Sequence, residues 1–116
     1  MLLTTLQELI KVRGFQVAPA ELEGVLFDHP DIIDAAVIGI QRTKEESELP
    51  RAYVVKRPGS ALTENDVFKF SAERLARYKN LEGGIVFIDA IPKNASGKFL
   101  KNQLRDRAKK EMAAKL

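Results

Sequence analysis

Cysteine is absent from this chain. Its absence excludes a disulfide framework and any thiolate metal site, and it fits a reducing compartment. Histidine is nearly absent: His29 stands alone, which argues against a histidine-based metal site. No apolar run approaches the roughly 20 residues that a membrane-spanning helix needs. Met1-Leu2-Leu3-Thr4-Thr5-Leu6 lacks the basic flank and long apolar stretch of a secretory signal. There is no internal repeat, and no low-complexity linker divides the chain.

The composition that remains is that of an ordinary globular domain. At 116 residues the chain is long enough for one domain with one modest core. Its charge is unevenly spread. From Lys93 onward there are eight basic and two acidic residues, so this tail carries +6 while residues 1–92 carry −3. A tail of that sign could attract phosphates of any kind, in nucleic acid, nucleotide or CoA. Its plain reading is a solvated helix face. Phe99 is the one aromatic near it, which counts against base stacking on nucleic acid.

Periodicity gives an order of elements. Leu9-Ile10-Lys11-Val12 and Phe15-Gln16-Val17 flank Arg13-Gly14 and read as a small hairpin. Pro19 opens a helix whose buried stripe is Leu22, Val25 and Leu26, and Asp28-His29-Pro30 ends it. The run Ala35-Ala36-Val37-Ile38-Gly39-Ile40 reads as a central strand, and Thr43 to Glu48 as a loop. A second strand spans Ala52 to Lys56, stopped by Arg57-Pro58-Gly59. Thr63 is a candidate N-cap for a helix with Val67, Phe68, Ser71, Ala72 and Leu75 along one face. Ile85 to Ile88 is a third strand, and Lys93 to Lys98 a polar turn. Leu100, Leu104, Ala108 and Met112 step by four along a final basic helix. The expected fold class is α+β: a small central sheet of about three strands flanked by helices, with an N-terminal β-hairpin.

Two segments could carry chemistry. Lys93-Asn94-Ala95-Ser96-Gly97-Lys98 contains Gly-Lys, but the phosphate-loop pattern needs a glycine where Pro92 stands and a Ser or Thr where Phe99 stands. What remains is a lysine on a short flexible turn at the start of a helix, able to place a point charge against a carboxylate or phosphate. Lys11-Val12-Arg13-Gly14-Phe15-Gln16 sets two cations and a side-chain amide around a glycine that lets another molecule pass close to the backbone. Each segment alone also reads as plain exposed surface.

Taken together, the segments carry a resemblance. The stretch from Leu9 to Glu23, with Gly14-Phe15-Gln16-Val17-Ala18-Pro19-Ala20-Glu21 at its centre, resembles a signature of the adenylate-forming superfamily, in particular its acyl-CoA and aryl-CoA ligases and firefly luciferase. Asp89-Ala90-Ile91-Pro92-Lys93-Asn94-Ala95-Ser96-Gly97-Lys98 is similar to the last signature of the same enzymes. His29-Pro30, Asp34 to Gly39, Leu49 to Val55 and Tyr78-Lys79 match between them. The resemblance runs from about residue 6 to residue 107 and is nearest to the 4-coumarate–CoA ligase branch.

The resemblance implies that residues 1–116 form the small mobile C-terminal domain of an ATP-dependent acid–CoA ligase. The N-terminal domain that binds ATP, its Mg²⁺ and the carboxylic acid is absent from this sequence. Such ligases form an acyl-adenylate from acid and ATP, then a thioester from the adenylate and CoA. Lys98 is implied to be the adenylation lysine, freed to enter and leave the site by the turn at Ser96-Gly97. Lys11 and Gln16 are implied to serve the thioester step. Gly14 is implied to line the passage for the pantetheine arm, with Arg13 beside it where these enzymes often carry lysine. Where they usually carry Asp-Arg and a hinge Asp or Lys, this sequence has Thr4, Thr5 and Gln7. The chain alone is expected not to make thioester. A free-standing domain that completes or regulates a partner in trans is the alternative, and a basic nucleic-acid-binding module ranks behind it. Ala114-Lys115-Leu116 resembles the Ser-Lys-Leu address and implies a peroxisomal location.

Overall fold

The computed structural model describes residues 9–41 and 47–114. A hairpin of β1 (Ile10–Val12) and β2 (Phe15–Val17) leads into helix α1 (Pro19–Phe27). Strands β3 (Ile32–Ile40) and β4 (Leu49–Lys56) follow, then α2 (Glu64–Ala72), β5 (Ile85–Phe87) and α3 (Lys101–Ala114). The three-stranded sheet has the order β3-β4-β5, with β3 antiparallel and β5 parallel to β4. This is the expected α+β class.

Local chemistry explains most boundaries. Pro19 sits at the first turn of α1, where its missing N–H costs nothing. Thr63 caps α2 reciprocally with Asp66: the Thr63 hydroxyl accepts from Asp66 N–H, and the Asp66 carboxylate accepts from Thr63 N–H. α2 ends at Ala72, so Leu75 lies beyond the helix and packs on the core from the following turn.

The sheet is covered on both faces, which gives three layers. Ile10, Val12 and Val17 of the hairpin, Leu22 and Leu26 of α1, and Val67 of α2 pack on the face formed by Ala35, Val37, Ala52 and Val54. Leu104 and Ala108 of α3 pack on the other, against Ala36, Ile38 and Tyr53. This double cover corrects the reading of β3 as central. Its continuous apolar run reports burial on both faces, but β3 is an edge strand and β4 is central. The edge N–H of Val37 is satisfied from outside the sheet, donating to Glu23 Oε2 of α1 at 2.8 Å.

Two further boundaries differ from expectation. β4 begins at Leu49, three residues early, and carries Pro50 opposite Gly39. The Gly83 backbone closes on that proline: Gly83 N–H donates to Pro50 O at 2.8 Å, and a Cβ on Gly83 would lie 2.7 Å from the same oxygen. Ile88 follows β5 but still donates its N–H to Val54 O at 3.0 Å.

Candidate functional site

The hairpin turn is made by Arg13 at φ 48° and Gly14 at φ 87°. Two consecutive left-handed residues produce the turn whose twist matches paired strands. The register pairs Lys11 with Gln16 directly. Lys11 N–H donates to Glu48 Oε1 at 2.9 Å, and Glu48 N–H donates back to Lys11 O at 3.0 Å. In an antiparallel ladder the N–H and C=O of one residue share an edge. Lys11 therefore turns its backbone away from Gln16, and the two form the non-hydrogen-bonded kind of pair, in which side chains stand closest. Both are exposed, on the face opposite buried Ile10, Val12 and Val17.

The hairpin is braced at its base and its tip. Phe15, half exposed, stacks on Tyr78 with ring centroids 4.1 Å apart and planes 16° from parallel. The neighbouring Lys79 Nζ donates to both oxygens of Glu21 at 2.8 Å, and the Glu21 carboxylate holds the Lys79 ammonium above its ordinary pKa. Arg13 reaches Glu82 at 3.4 Å, a loose exposed pair worth little. At the base, a Cβ on Gly39 would meet Glu48 Oε2 and Ile10 Cγ2 at 3.1 Å each, so Gly39 lets β1 and Glu48 come down onto β3.

The second segment is a hydrogen-bonded turn. Lys93 pairs with Phe99 as an isolated antiparallel bridge, and Leu100 N–H donates to Pro92 O at 2.8 Å. Within it, Asn94 N–H donates to Lys98 O at 2.9 Å, and Gly97, at φ 87°, donates to Asn94 O at 3.0 Å. Lys98 stands three residues before α3, not at its start. Lys93 Nζ ties the turn to Asp34 Oδ2 of β3 at 2.7 Å. Beyond it, Lys101 Nζ of α3 meets Glu23 Oε2 at 2.9 Å, with both side chains largely buried.

The structure thus brings Lys11, Gln16, Arg13 and Gly14 together and holds Lys98 with Gly97 apart from them. The hairpin rests at Gly39 and the lysine turn at Asp34, five positions away on β3. At about 3.4 Å per residue the two anchor points lie about 17 Å apart. The sequence reading missed Glu48, Glu23 and the role of Asn94. An Asn two residues before a Ser-Gly pair is a turn signal and was available. Nothing local marks Glu48 or Glu23 as long-range partners. Among the described residues no group of acidic or histidine side chains could hold a metal ion, and no helix is long and apolar enough to cross a membrane.

Residues 21–98 match the family model described as AMP-binding enzyme C-terminal domain, and the chain belongs to that family. It is similar to the phenylacetyl-CoA ligase epaB of Aspergillus niger, 57% identical over 106 residues covering 91% of this chain and 20% of that protein. 4-Coumarate–CoA ligase 1 of Oryza sativa subsp. japonica is 52% identical over 100 residues, covering 86% and 18%. Apo MatB from Rhodopseudomonas palustris superposes with a TM-score of 0.83 at 31% identity, covering 91% of this chain and 21% of that one. The chain spans about a fifth of the length of the curated relatives it matches.

Proposed function

We propose that this domain is the moving lid of an ATP-dependent acid–CoA ligase, serving each half-reaction with a different face. One observation carries the reading: Lys11 and Gln16 pair on the braced ribbon, while Lys98 sits on a separate hydrogen-bonded turn that Lys93 ties to Asp34 of β3. The larger domain would supply the ATP, Mg²⁺ and acid sites. In the first step a carboxylate oxygen bonds to the α-phosphorus of ATP, and the bond to pyrophosphate breaks. The Lys98 ammonium offsets the charge of the two anions as they meet. In the second step the CoA thiol loses its proton to solvent, its sulfur bonds to the acyl carbon, and the acyl–oxygen bond breaks so that AMP leaves with the electron pair. Lys11 and Gln16 then supply an ammonium and an amide donor to the adenylate, and Gly14 leaves room for the pantetheine arm. The identity of the acid is left open.

The test is a chimera in which this chain replaces the matching segment of the epaB ligase. The chimera is expected to form thioester. Lys98→Ala is expected to slow acid-dependent ATP–pyrophosphate exchange about 10²–10³-fold, as loss of one preorganised donor commonly does. Lys11→Ala is expected to spare exchange and slow thioester release. Equal loss of both half-reactions in both variants would sink the two-face reading. The same proposal places the enzyme in peroxisomes through Ala114-Lys115-Leu116, of which Lys115 and Leu116 lie outside the described residues. A fluorescent reporter ending in these three residues should collect in peroxisomes; diffuse signal would reject the address.

A further inference from the structure

Lys98 is held at its backbone by one side chain. Asn94 Oδ1 accepts from Ser96 N–H at 3.0 Å, from the Ser96 hydroxyl at 2.8 Å and from Lys98 N–H at 3.0 Å. Three donors converge on that atom, so only the oxygen end of the amide can face them. The Asn94 N–H meanwhile donates to Lys98 O at 2.9 Å. Both backbone polar groups of Lys98 therefore bond to a single residue. A chain of bonds continues outward through Lys93 to Asp34, which fixes the turn to the sheet.

Asn94, Ser96 and Lys98 are all exposed. Hydrogen bonds in water contribute little net stability, because solvent replaces them when they break. An organised network at an exposed turn therefore does little for the fold, and its effect falls on where the lysine stands. Without Oδ1 the backbone bonds from Asn94 to Lys98 O and from Gly97 to Asn94 O remain, but Lys98 N–H and Ser96 lose their shared acceptor and the lysine backbone is held less closely. A long side chain on a loose base places its charge poorly, and misplacement by about 1 Å can cost about 10²-fold in rate.

We infer that Asn94 is a positioning residue for the adenylation step, acting through Lys98 by clamping its backbone. The inference rests on the proposed role of Lys98 and adds the residue that aims it. Asn94 itself touches neither substrate nor nucleotide in this account.

The experiment uses the epaB chimera with four substitutions: Asn94→Ala, Asn94→Asp, Ser96→Ala and Lys98→Ala. Asn94→Ala removes the acceptor; Asn94→Asp keeps an oxygen in its place. Asn94→Ala is expected to lower kcat for ATP–pyrophosphate exchange about 10–100-fold, as expected for a displaced catalytic group, with KM for ATP and acid within about twofold. Asn94→Asp should restore most of that rate. Ser96→Ala, which removes one of the three donors and leaves Lys98 N–H bonded, should cost less than Asn94→Ala. Thermal midpoints of all four should match the parent, and thioester formation from supplied acyl-adenylate should be unchanged. A slow Lys98→Ala variant beside a normal Asn94→Ala variant would overturn the positioning role alone. Normal exchange in Lys98→Ala would overturn both it and the reading beneath it. A lowered midpoint in Asn94→Ala, with the thioester step slowed equally, would make the residue structural and also overturn the inference.

Discussion

Arg51 and Glu111 meet at 2.6 Å beneath α3, where the guanidinium is almost wholly buried. Arg51 also donates to Tyr53 Oη and to Gly83 O, and Tyr53 donates to the same Glu111 oxygen. Arg107 donates to the other oxygen at 3.0 Å. Burial opposes ionisation of Glu111, but the bonds from Arg51, Arg107 and Tyr53 outweigh it and hold its pKa below the ordinary 4.5. A depressed carboxylate adds stability above its unfolded pKa and loses it as pH falls through the folded one. The chain should therefore keep this contribution down to about pH 4.5 and lose it below. Glu111→Gln should flatten that acid limb and cost about 2–3 kcal/mol at neutral pH, since it weakens hydrogen bonds to a charged, buried group. Urea titrations from pH 3 to pH 7 would check both; an unchanged acid limb would refute the assignment.

Glu23 joins three layers through one carboxylate, bonding Val37 N–H of the edge strand and Lys101 of α3. Glu23→Ala should cost about 2 kcal/mol, because a part-buried N–H loses its acceptor. Glu23→Gln keeps a neutral acceptor for Val37 and should recover about half of that. Amide exchange of Val37 gives the direct reading, rising sharply in the alanine variant.

Two glycines should respond oppositely to alanine. At Gly83 the added carbon would sit 2.7 Å from Pro50 O, an approach the backbone must move to relieve. Gly83→Ala should cost about 1–3 kcal/mol, as overpacking does. Gly24 lies within α1 with nothing near its Cβ position. Gly24→Ala should gain about 0.5–1 kcal/mol from helix propensity. Thermal midpoints of the two variants should move in opposite directions.

At Gly14 the added carbon meets nothing within 4 Å among the described residues, but φ 87° strains any other residue. Gly14→Ala should cost about 1 kcal/mol in stability. In the chimera it should slow thioester formation while sparing pyrophosphate exchange. Slowing of both half-reactions would show that the strain spreads beyond the hairpin.

The hairpin, the Pro19 start of α1 and the Thr63 cap were legible in sequence because each depends on chemistry within a few residues. Arg13-Gly14 between two short apolar runs needs no distant partner to become a turn. The place of β3 at the sheet edge was not legible, since an apolar run records cover on its faces and not its neighbours along the sheet. The early start of β4 was hidden by Pro50, which argues locally against a strand. It is tolerated because Gly39 stands opposite and the Gly83 N–H closes on the proline carbonyl. Of the candidate site, Lys11, Gln16 and Lys98 were marked only by the resemblance of their two segments to known signatures. The groups that hold them, Glu48 and Asn94, were not; Glu48 acts across 37 positions of chain.

The parallel pairing of β4 with β5 also sets an order in time. Ala52 meets Ile85, and the whole of α2 lies between them. Closing that long loop costs entropy before any ladder bond repays it, whereas the antiparallel β3–β4 pair closes locally. The hypothesis is that β3 and β4 zip first, β5 docks late, and α3 with its preceding lysine turn settles last. Mutational rate analysis should then find Val37→Ala slowing folding and Ile85→Val mainly hastening unfolding; the reverse would discard it. A chain emerging from the ribosome would thus complete its hairpin early and its Lys98 turn late.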